Sequence, residues 1–343
     1  MLLNDKVLIL DCTLRDGGYV NNWEFDTNTA LSVINSLYDS GVRIIELGLM
    51  AKGGVPGVNT KFLTFNQIEP LLYNRKKDCH YAVMLTQAEY KAVEFEIPEC
   101  SDKTPDIIRL AFFKLEMEEA LKTAGLLKSK GYKVFLQAMA TFLYSDSELL
   151  HLVDEVNLLK PESFYMVDSF STMYNEDVKK MQDLIYTRLD KDILFGFHAH
   201  NNIQMAYSNI IEFIKNSGER QCIIDGSIYG MGRGAGNVPV ELIMEYLNKK
   251  FNKNYNIQAV LNCFEKNIQP IFNKYYWGYS IPYLLTAIKD VNSVYAWYLS
   301  KKGISKISDL NAVLDGIPND AKYTLMKNIV DKVIENHLSG GRK

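Results

Sequence analysis

The sequence predicts an α/β protein: a TIM (β/α)8 barrel followed by a C-terminal helical extension domain. Three observations support this: a length of 343 residues, short apolar runs that recur along most of the chain, and a change after Glu241 to a composition rich in helix formers and aromatic residues. A barrel needs about 250 residues, which leaves a second, smaller unit. We assign residues 1–245 to a catalytic barrel and residues 246–343 to a helical C-terminal domain.

Eight runs rich in β-branched or aromatic residues are predicted strands, and a longer segment with helical spacing follows each of them. Most runs are continuously apolar, which is typical of parallel strands covered by helices. A doubly wound open sheet is the alternative, but it normally uses fewer strands, and no Gly-x-Gly-x-x-Gly follows the first run. The predicted strands are Val7–Cys12, Arg43–Leu47, Tyr81–Leu85, Asp106–Ala111, Lys133–Ala138, Ser163–Val167, Ile193–His198 and Cys222–Ile228.

Residues that begin or end helices stand between these runs. Asp26 can cap a helix, and Gly41 and Gly131 stand where a helix-terminating glycine is expected, before strands two and five. After Glu241, helix formers and aromatic residues dominate and no strand-like run follows. The tail Ser339–Lys343 is predicted to be disordered.

Composition excludes several classes of function. The chain carries 38 Lys and Arg against 41 Asp and Glu, a formal charge of −3, so no nucleic-acid partner is expected. No apolar stretch has the length of a membrane span, and the N-terminus lacks the basic start of a signal peptide. The five cysteines are scattered and form no Cys-x-x-Cys pair, which favours reduced thiols. We expect a soluble, cytoplasmic protein with no membrane partner.

Two histidines stand at the end of predicted strand seven, in His198-Ala199-His200. Residues i and i+2 of a strand point the same way, so both imidazoles can face the barrel axis at the carboxyl end of the strands. A single histidine there would more often be structural. The pair predicts a site for a divalent cation such as zinc, manganese, cobalt or iron.

Charged residues follow the first two strands. Arg15-Asp16-Gly17-Gly18 comes after strand one, and Glu46 stands within the apolar run of strand two. Asp16 can add an oxygen ligand to the histidine pair, and Arg15 can hold a carboxylate or an enolate oxygen through its planar fork. A buried Glu46 needs a partner, for which Arg15 on the adjacent strand is suited. The alternative is an Asp–Arg ion pair that only joins strand ends.

Two further segments follow strands six and eight: Asp168-Ser169 and the loop Gly230–Asn237 with its four alternating glycines. The loop can lie against a ligand or move over it, and a phosphate cradle is a competing interpretation. Its P-loop form is excluded because no Gly-Lys-Ser/Thr follows. We expect the substrate to be bound by Arg15 together with Asp168, Ser169, Gly232 and Asn237.

Four elements in this order resemble the DRE-TIM metallolyases, which include the HMG-CoA lyases: Leu14–Gly17, Glu46, His198–Asn201 and Gly230–Asn237. The likeness spans residues 7 to about 245 and is strongest to the 4-hydroxy-2-oxovalerate aldolases. These have a similar helical C-terminal domain with a Gly-Tyr-x-x-x-Tyr element, matched here by Gly278-Tyr279 and Tyr283. Asn237 matches a loop asparagine that is a metal ligand in the acyl-CoA lyases.

The resemblance implies a divalent metal held by Asp16, His198 and His200. Mn²⁺ is the expected ion, with Mg²⁺, Co²⁺ or Zn²⁺ as alternatives. The resemblance also implies that Arg15 binds a 2-oxo acid and stabilises its enolate, while Glu46 positions the arginine. The expected activity is a class II aldol cleavage or addition at a 4-hydroxy-2-oxo acid, which passes through pyruvate enolate and yields or uses an aldehyde.

One departure concerns the general base. The aldolases carry a histidine shortly after Arg-Asp-Gly, where this chain has Tyr19 and no histidine nearby. Tyr19, Tyr279 and Tyr283 are therefore the candidate bases, and an acylating-dehydrogenase partner is not expected. The aromatic segment Tyr275–Tyr283 is expected to pack between helices, or else to bring one tyrosine to the barrel mouth, and its aromatic character favours a homodimer.

Two other functions stay open. The first is a Claisen-type acyl-CoA lyase or acyltransferase on the same metal site, although the glycine loop lacks the cysteine that acyl-CoA lyases place there. The second is a non-catalytic barrel subunit, which would not need to keep the arginine, aspartate and histidine set. Five apolar residues that follow strands are expected either to line the aldehyde pocket or to pack in the core: Phe112, Phe113, Met139, Phe142 and Phe170.

Overall fold

The computed structural model describes residues 5–92 and 97–340, and its centre is a closed barrel of parallel strands. Each barrel strand pairs with the next, and the first pairs with both the second and the last, which closes the ring. The predicted TIM barrel is therefore confirmed. The strands are β1 (Val7–Asp11), β2 (Ile44–Met50), β3 (Lys61–Phe62), β4 (His80–Thr86), β5 (Ile107–Phe112), β6 (Lys133–Ala138), β7 (Ser163–Asp168), β8 (Leu194–Ala199) and β9 (Cys222–Gly226).

Helices connect the strands and continue after the barrel, as predicted. Those up to the last strand are α1 (Gly18–Asn21), α2 (Thr27–Ser40), α3 (Glu69–Leu72), α4 (Gln87–Ala92), α5 (Met117–Ser129), α6 (Asp146–Leu159), α7 (Asn175–Tyr186) and α8 (Ala206–Asn216). Those that follow it are α9 (Val240–Phe251), α10 (Ile257–Cys263), α11 (Gln269–Tyr275), α12 (Ile281–Ile288), α13 (Val294–Lys301), α14 (Ile307–Asp315) and α15 (Lys327–Gly340).

All eight predicted strands are present, with ends that differ by up to three residues. The largest difference is in β2, which continues to Met50 beyond a register shift between Glu46 and Leu49. The two-residue β3 pairs with this extension, and it was not predicted because so short a pairing has no periodicity. The last strand ends at Gly226, and a 3₁₀ turn at Ile228–Gly230 replaces its predicted end.

The predicted helix caps are confirmed. The side chain of Asp26 accepts a hydrogen bond of 2.7 Å from the backbone N–H of Thr29 at the start of α2. Gly41 and Gly131 have φ values of 100° and 87°, the left-handed region that glycine enters without strain. The predicted disordered tail is wrong for Ser339 and Gly340, which form the end of α15, and residues 341–343 lie outside the described residues.

Two apolar layers hold the barrel together. The inner layer fills the barrel and includes Leu10, Ile107, Phe135 and Ile223. The outer layer lies between strands and helices and takes in the buried faces of α9 and α10. The helices α12–α15 build a separate cluster of their own. The domain boundary after residue 245 stays a prediction, although α9 and α10 bury their apolar faces against the barrel.

Two predictions from composition can be compared with the fold. All five cysteines are free thiols, as expected from their spacing. Within the described ranges, no helix is both long enough and apolar enough to cross a membrane.

Three charged side chains are buried inside the barrel, above the inner apolar layer. Arg109 on β5 donates a hydrogen bond of 2.7 Å to Glu46 on β2 and a second hydrogen bond to Asp225 on β9. All three are at most 1% exposed. A buried charge is tolerated only when it is paired, so Arg109 neutralises carboxylates on β2 and β9, the two strands that flank β1.

Replacement of Arg109 tests this ion-pair bridge. Arg109→Met removes one partner from each carboxylate and leaves uncompensated buried charge, so we expect the free energy of unfolding to fall by about 3–5 kcal/mol. Chemical denaturation followed by circular dichroism measures the change. The matched control is Arg188→Met, which removes an exposed pair with Asp154 at 2.6 Å; there the expected loss is below about 1 kcal/mol. Similar small losses in both variants would contradict the assignment.

Candidate active site

The ends of β1 and β8 bring three potential metal ligands together. One ligand atom from each of Asp16, His198 and His200 lies within 4.8 Å of the others, and all three side chains are buried. Asp16 reaches this position because the chain turns sharply after β1: the backbone N–H groups of Arg15 and Asp16 both donate to the carbonyl of Cys12, at 3.1 and 2.8 Å. The cluster lies at the carboxyl end of the barrel, where catalytic residues of this fold are found.

The turn that carries Asp16 depends on glycine. A Cβ atom at Gly17 would lie 2.2 Å from the carbonyl oxygen of Thr13, and one at Gly18 would lie 2.1 Å from the ring of Trp23. Trp23 in turn donates from its indole N–H to the carbonyl of Arg15 at 2.8 Å. The glycine pair therefore permits the close backbone approach that orients Arg15 and Asp16.

The two histidines are prepared for metal binding in different ways. Nδ1 of His198 is 2.8 Å from Asp225, which leaves Nε2 for a metal, the arrangement in which a carboxylate orients a ligating histidine. Nδ1 of His200 is buried and has no hydrogen-bond partner. Burial lowers the pKa of His200 to about 3, so the ring is neutral and able to ligate at neutral pH.

The chemistry of the remaining donors fits a divalent cation. Burial favours the protonated form of Asp16, but the Arg15 guanidinium outweighs it and holds the pKa of Asp16 well below its usual range. Asn237 donates to Asp16 at 2.9 Å, while its own Oδ1 is buried without a partner. An ionised carboxylate, two imidazoles and an amide oxygen without a partner among the described residues suit Mn²⁺, Zn²⁺ or a related ion.

Arg15 lies between the cluster and the barrel interior. Its Nη1 contacts Asp16 at 2.5 Å and its Nε donates to Glu46 at 2.8 Å, so Glu46 holds the guanidinium as predicted from its burial. Burial works against the charge, but the two carboxylates raise the pKa of Arg15 well above its ordinary value. Within the described part of the chain its Nη2 makes no hydrogen bond, which leaves one side of the fork for a ligand.

The glycine loop lies directly against the cluster. A Cβ atom at Gly232 would be 2.3 Å from Nδ2 of Asn237 and 2.6 Å from Oδ2 of Asp16. Most of the loop amides are used within the protein: those of Arg233 and Ala235 donate to Asp16 and Asn202, at 3.1 and 2.9 Å. A phosphate cradle needs several adjacent free amides, and among the described residues only those of Gly232 and Gly234 lack a bond, so the geometry favours a loop that packs on the cluster.

Asp168 and Ser169 stand beside the cluster but their side chains support loops. The carboxylate of Asp168 accepts from the amides of Thr172 and Met173 at 2.9 and 3.2 Å. Burial raises its pKa to about 7. The hydroxyl of Ser169 accepts from the amide of Ala140 at 2.9 Å. Their expected role in substrate binding stays a prediction.

The three candidate tyrosines have different positions. Tyr19 packs edge-on against Trp23, with ring centroids 4.6 Å apart, and the Arg233 guanidinium lies 5.6 Å from its ring centroid. Burial of its phenol raises the pKa of Tyr19, although 43% of the residue as a whole is exposed. Tyr279 is 55% exposed, and Tyr283 is half-buried. Among the described residues, no hydrogen bond joins either of them to the cluster.

Trp277, rather than a tyrosine, connects the aromatic segment to the barrel mouth. Its indole N–H donates to the carbonyl of Tyr229 at 3.0 Å, and its ring would lie 3.4 Å from a Cβ atom at Gly236. The predicted packing between helices is wrong for Tyr276, of which 68% is exposed. The C-terminal part of the chain thus contacts the glycine loop directly.

Apolar side chains line one side of the barrel mouth. Leu49, Met84 and Ala111 form a buried cluster with Trp23, and Met139 packs against it. Of the residues expected near an aldehyde pocket, Met139 is in this cluster, whereas Phe112 belongs to the outer layer of the barrel. The mouth therefore pairs a charged side with an apolar one.

The sequence alone did not reveal Arg109, Asp225 and Arg233. The first two are charged residues inside apolar strand runs, at positions that alternate with apolar inward-facing residues. Glu46 shows the same signal, an acidic residue within an apolar strand run. Arg233 stands between two glycines, and its position in a loop gives no periodic signal of its role.

The fold and the cluster define a (β/α)8 barrel with a candidate metal centre at the carboxyl end of its strands. A family model confirms the class: residues 6–265 match the HMGL-like family. The chain belongs to this family, within the DRE-TIM superfamily.

Individual relatives are distant. The chain is 24% identical over 282 residues to 4-hydroxy-2-oxovalerate aldolase 6 of Rhodococcus jostii, covering 80% of this chain and 77% of that protein. It is 24% identical over 248 residues to an oxaloacetate decarboxylase of Mycobacterium tuberculosis, covering 71% and 70%. A solved structure, the N-terminal domain of a candidate aldolase from Bacteroides vulgatus, is 27% identical, with a TM-score of 0.72 over 85% of this chain and 96% of that one.

Replacement of Asp225 tests the link between the buried carboxylate and the metal ligands. Asp225→Asn weakens the hydrogen bond that orients His198, so we expect Mn²⁺ affinity to fall by about 10- to 100-fold. Isothermal titration of metal-free protein measures it. The matched control is Asp11→Asn, because Asp11 is also buried but accepts hydrogen bonds from Thr13. Equal losses in the two variants, or none in Asp225→Asn, would contradict the role given to Asp225.

Proposed function

We propose that the protein is a divalent-metal-dependent carbon–carbon lyase that cleaves or forms a 4-hydroxy-2-oxo acid through pyruvate enolate. The observation that carries the proposal is the contact between Arg15 and Asp16 at 2.5 Å, beside His198 and His200. This contact places a permanent cation next to three potential metal ligands. Arg15 and a metal held by these ligands can therefore act on the same small carboxylate substrate.

In this proposal Asp16, His198 and His200 hold the metal, with Mn²⁺ as the proposed ion. The bound ion supplies Lewis acidity at the 2-oxo group of the substrate. The buried amide oxygen of Asn237 lacks a partner and is a further candidate ligand.

Arg15 stabilises the charge that develops on the enolate oxygen. Its Nε and Nη1 are held by Glu46 and Asp16, so the guanidinium needs little reorganisation when the enolate forms. The free Nη2 side faces the reacting group. Because the fork is planar and fixed, lysine is not an equivalent replacement.

Cleavage of the substrate also needs a group that takes the 4-hydroxyl proton. Tyr19 is the candidate nearest to the cluster, two residues from Gly17, but burial of its phenol raises the pKa of Tyr19, so little phenolate is present at neutral pH to act as a base. We propose that Tyr19 stays protonated and orients a water molecule that carries the proton. Tyr279 and Tyr283 would need the C-terminal helices to move in order to take this role.

The named relatives support an enolate mechanism. An aldolase that makes pyruvate and an oxaloacetate decarboxylase both pass through pyruvate enolate, so the same site serves either reaction. A Claisen-type reaction on a thioester would also use an enolate. Thioester cleavage is therefore measured in the same experiments as pyruvate release. Cytoplasmic location and a homodimer stay predictions.

A substrate panel tests the activity and its dependence on Arg15. We expect Mn²⁺-loaded protein to release pyruvate from a 4-hydroxy-2-oxo acid or from oxaloacetate, and protein treated with EDTA to lose this activity. Arg15→Lys keeps the positive charge but loses the planar guanidinium with its paired N–H donors, so kcat should fall by about 100-fold or more. Pyruvate release coupled to lactate dehydrogenase measures both effects.

Three results would count against the proposal. Full turnover by metal-free protein would exclude the metal, and unchanged kcat in Arg15→Lys would exclude the arginine. Cleavage of acyl-CoA thioesters without pyruvate release would favour the Claisen alternative. The surface variant Arg188→Lys is the control for the arginine substitution.

A further inference from the structure

Arg233, in the glycine loop, extends across the barrel mouth. Its backbone N–H donates to Asp16 at 3.1 Å, which fixes the residue beside the cluster. Its Nη2 donates to the carbonyl of Ser169 at 3.2 Å, and its guanidinium lies 5.6 Å from the ring centroid of Tyr19. The side chain therefore lies between the loops that follow β1 and β7.

Arg233 forms no ion pair with a carboxylate among the described residues. Arg15 and Arg109 each contact two carboxylates, whereas no carboxylate of the described ranges lies within ion-pair distance of Arg233. Its Nε is buried and has no hydrogen-bond partner in that part of the chain. A partly buried guanidinium held only by a carbonyl and a ring retains strong capacity to bind an anion.

We infer that Arg233 binds a second carboxylate, at the end of the substrate remote from the 2-oxo acid group, so that the substrates are 2-oxo dicarboxylic acids. The inference rests on the proposed function, in which the metal and Arg15 bind the first carboxylate and the 2-oxo group of the substrate. It extends that function by giving the substrate a second anionic group.

The surroundings of Arg233 fit a carboxylate better than a phosphate. Tight phosphate binding uses several donors, usually free backbone amides or further cations. Here the loop amides of Ala235, Gly236 and Asn237 are all bonded within the protein. One planar guanidinium matches one planar carboxylate, and Tyr19 supports the face of the fork.

A matched pair of 2-oxo acids tests the inference by binding rather than turnover. 2-Oxoglutarate and 2-oxopentanoate share the 2-oxo acid group and the chain length, and only the first carries a remote carboxylate. We expect Mn²⁺-loaded protein to bind 2-oxoglutarate about 10-fold more tightly or better, as a charge-assisted hydrogen bond allows. Isothermal titration gives both dissociation constants.

Two variants identify the residue responsible. Arg233→Gln should reduce the preference to about 2-fold or less, while the affinity for 2-oxopentanoate changes by less than about 3-fold. Arg233→Lys should keep part of the preference, because it retains the charge. A purely structural role for Arg233 would weaken binding of both acids equally.

The outcomes separate this inference from the proposed function. Equal binding of the two acids by the unmodified protein, or an unchanged preference in Arg233→Gln, overturns the inference and leaves the lyase proposal in place. Binding of neither acid by metal-loaded protein overturns both. A preference that Arg233→Gln loses and Arg233→Lys partly keeps supports the inference.

Discussion

A continuous series of buried ion pairs, completed by a hydrogen bond to His198, connects the candidate metal ligands across the barrel, and the site depends on it. Each member contacts the next, in the order Asp16, Arg15, Glu46, Arg109, Asp225 and His198. The series begins at one potential ligand and ends at another. Four acidic and basic groups in the barrel interior would be costly alone, but in this series each is paired on both sides. The barrel thereby holds the arginine and the ligands in fixed relative positions.

The glycines around the cluster follow from the same crowding. Charged groups are crowded at the ends of the strands, so the backbone must pass close to them. A Cβ atom at Gly17, Gly18 or Gly232 would collide with neighbouring atoms. Their positions allow the β1 turn and the last loop to approach Asp16 from two sides. The loop also carries Arg233 and contacts Trp277, so changes in the C-terminal helices can reach the substrate side of the site.

Much of this arrangement could be predicted from sequence because it is local. The His198-x-His200 spacing, the acid after β1 and the apolar strand runs each show within a few residues, and the barrel topology brings strand ends together. The pairs that cross the barrel are different: Arg109 and Asp225 are 116 residues apart in sequence, and nothing local shows that they meet. The direction of the Arg233 side chain likewise depends on the fold of its loop. The contact made by Trp277 rather than a tyrosine also required the tertiary structure.

Stabilisation of pyruvate enolate by the cluster and Arg15 can be tested without knowledge of the aldehyde. Mn²⁺-loaded protein is incubated with pyruvate in D₂O, and the methyl signal is followed by proton NMR. We expect the methyl protons to exchange with solvent, the exchange to stop when the metal is removed, and Asp16→Asn to abolish it. Protein that binds Mn²⁺ and pyruvate yet leaves the methyl protons unexchanged would contradict the central claim.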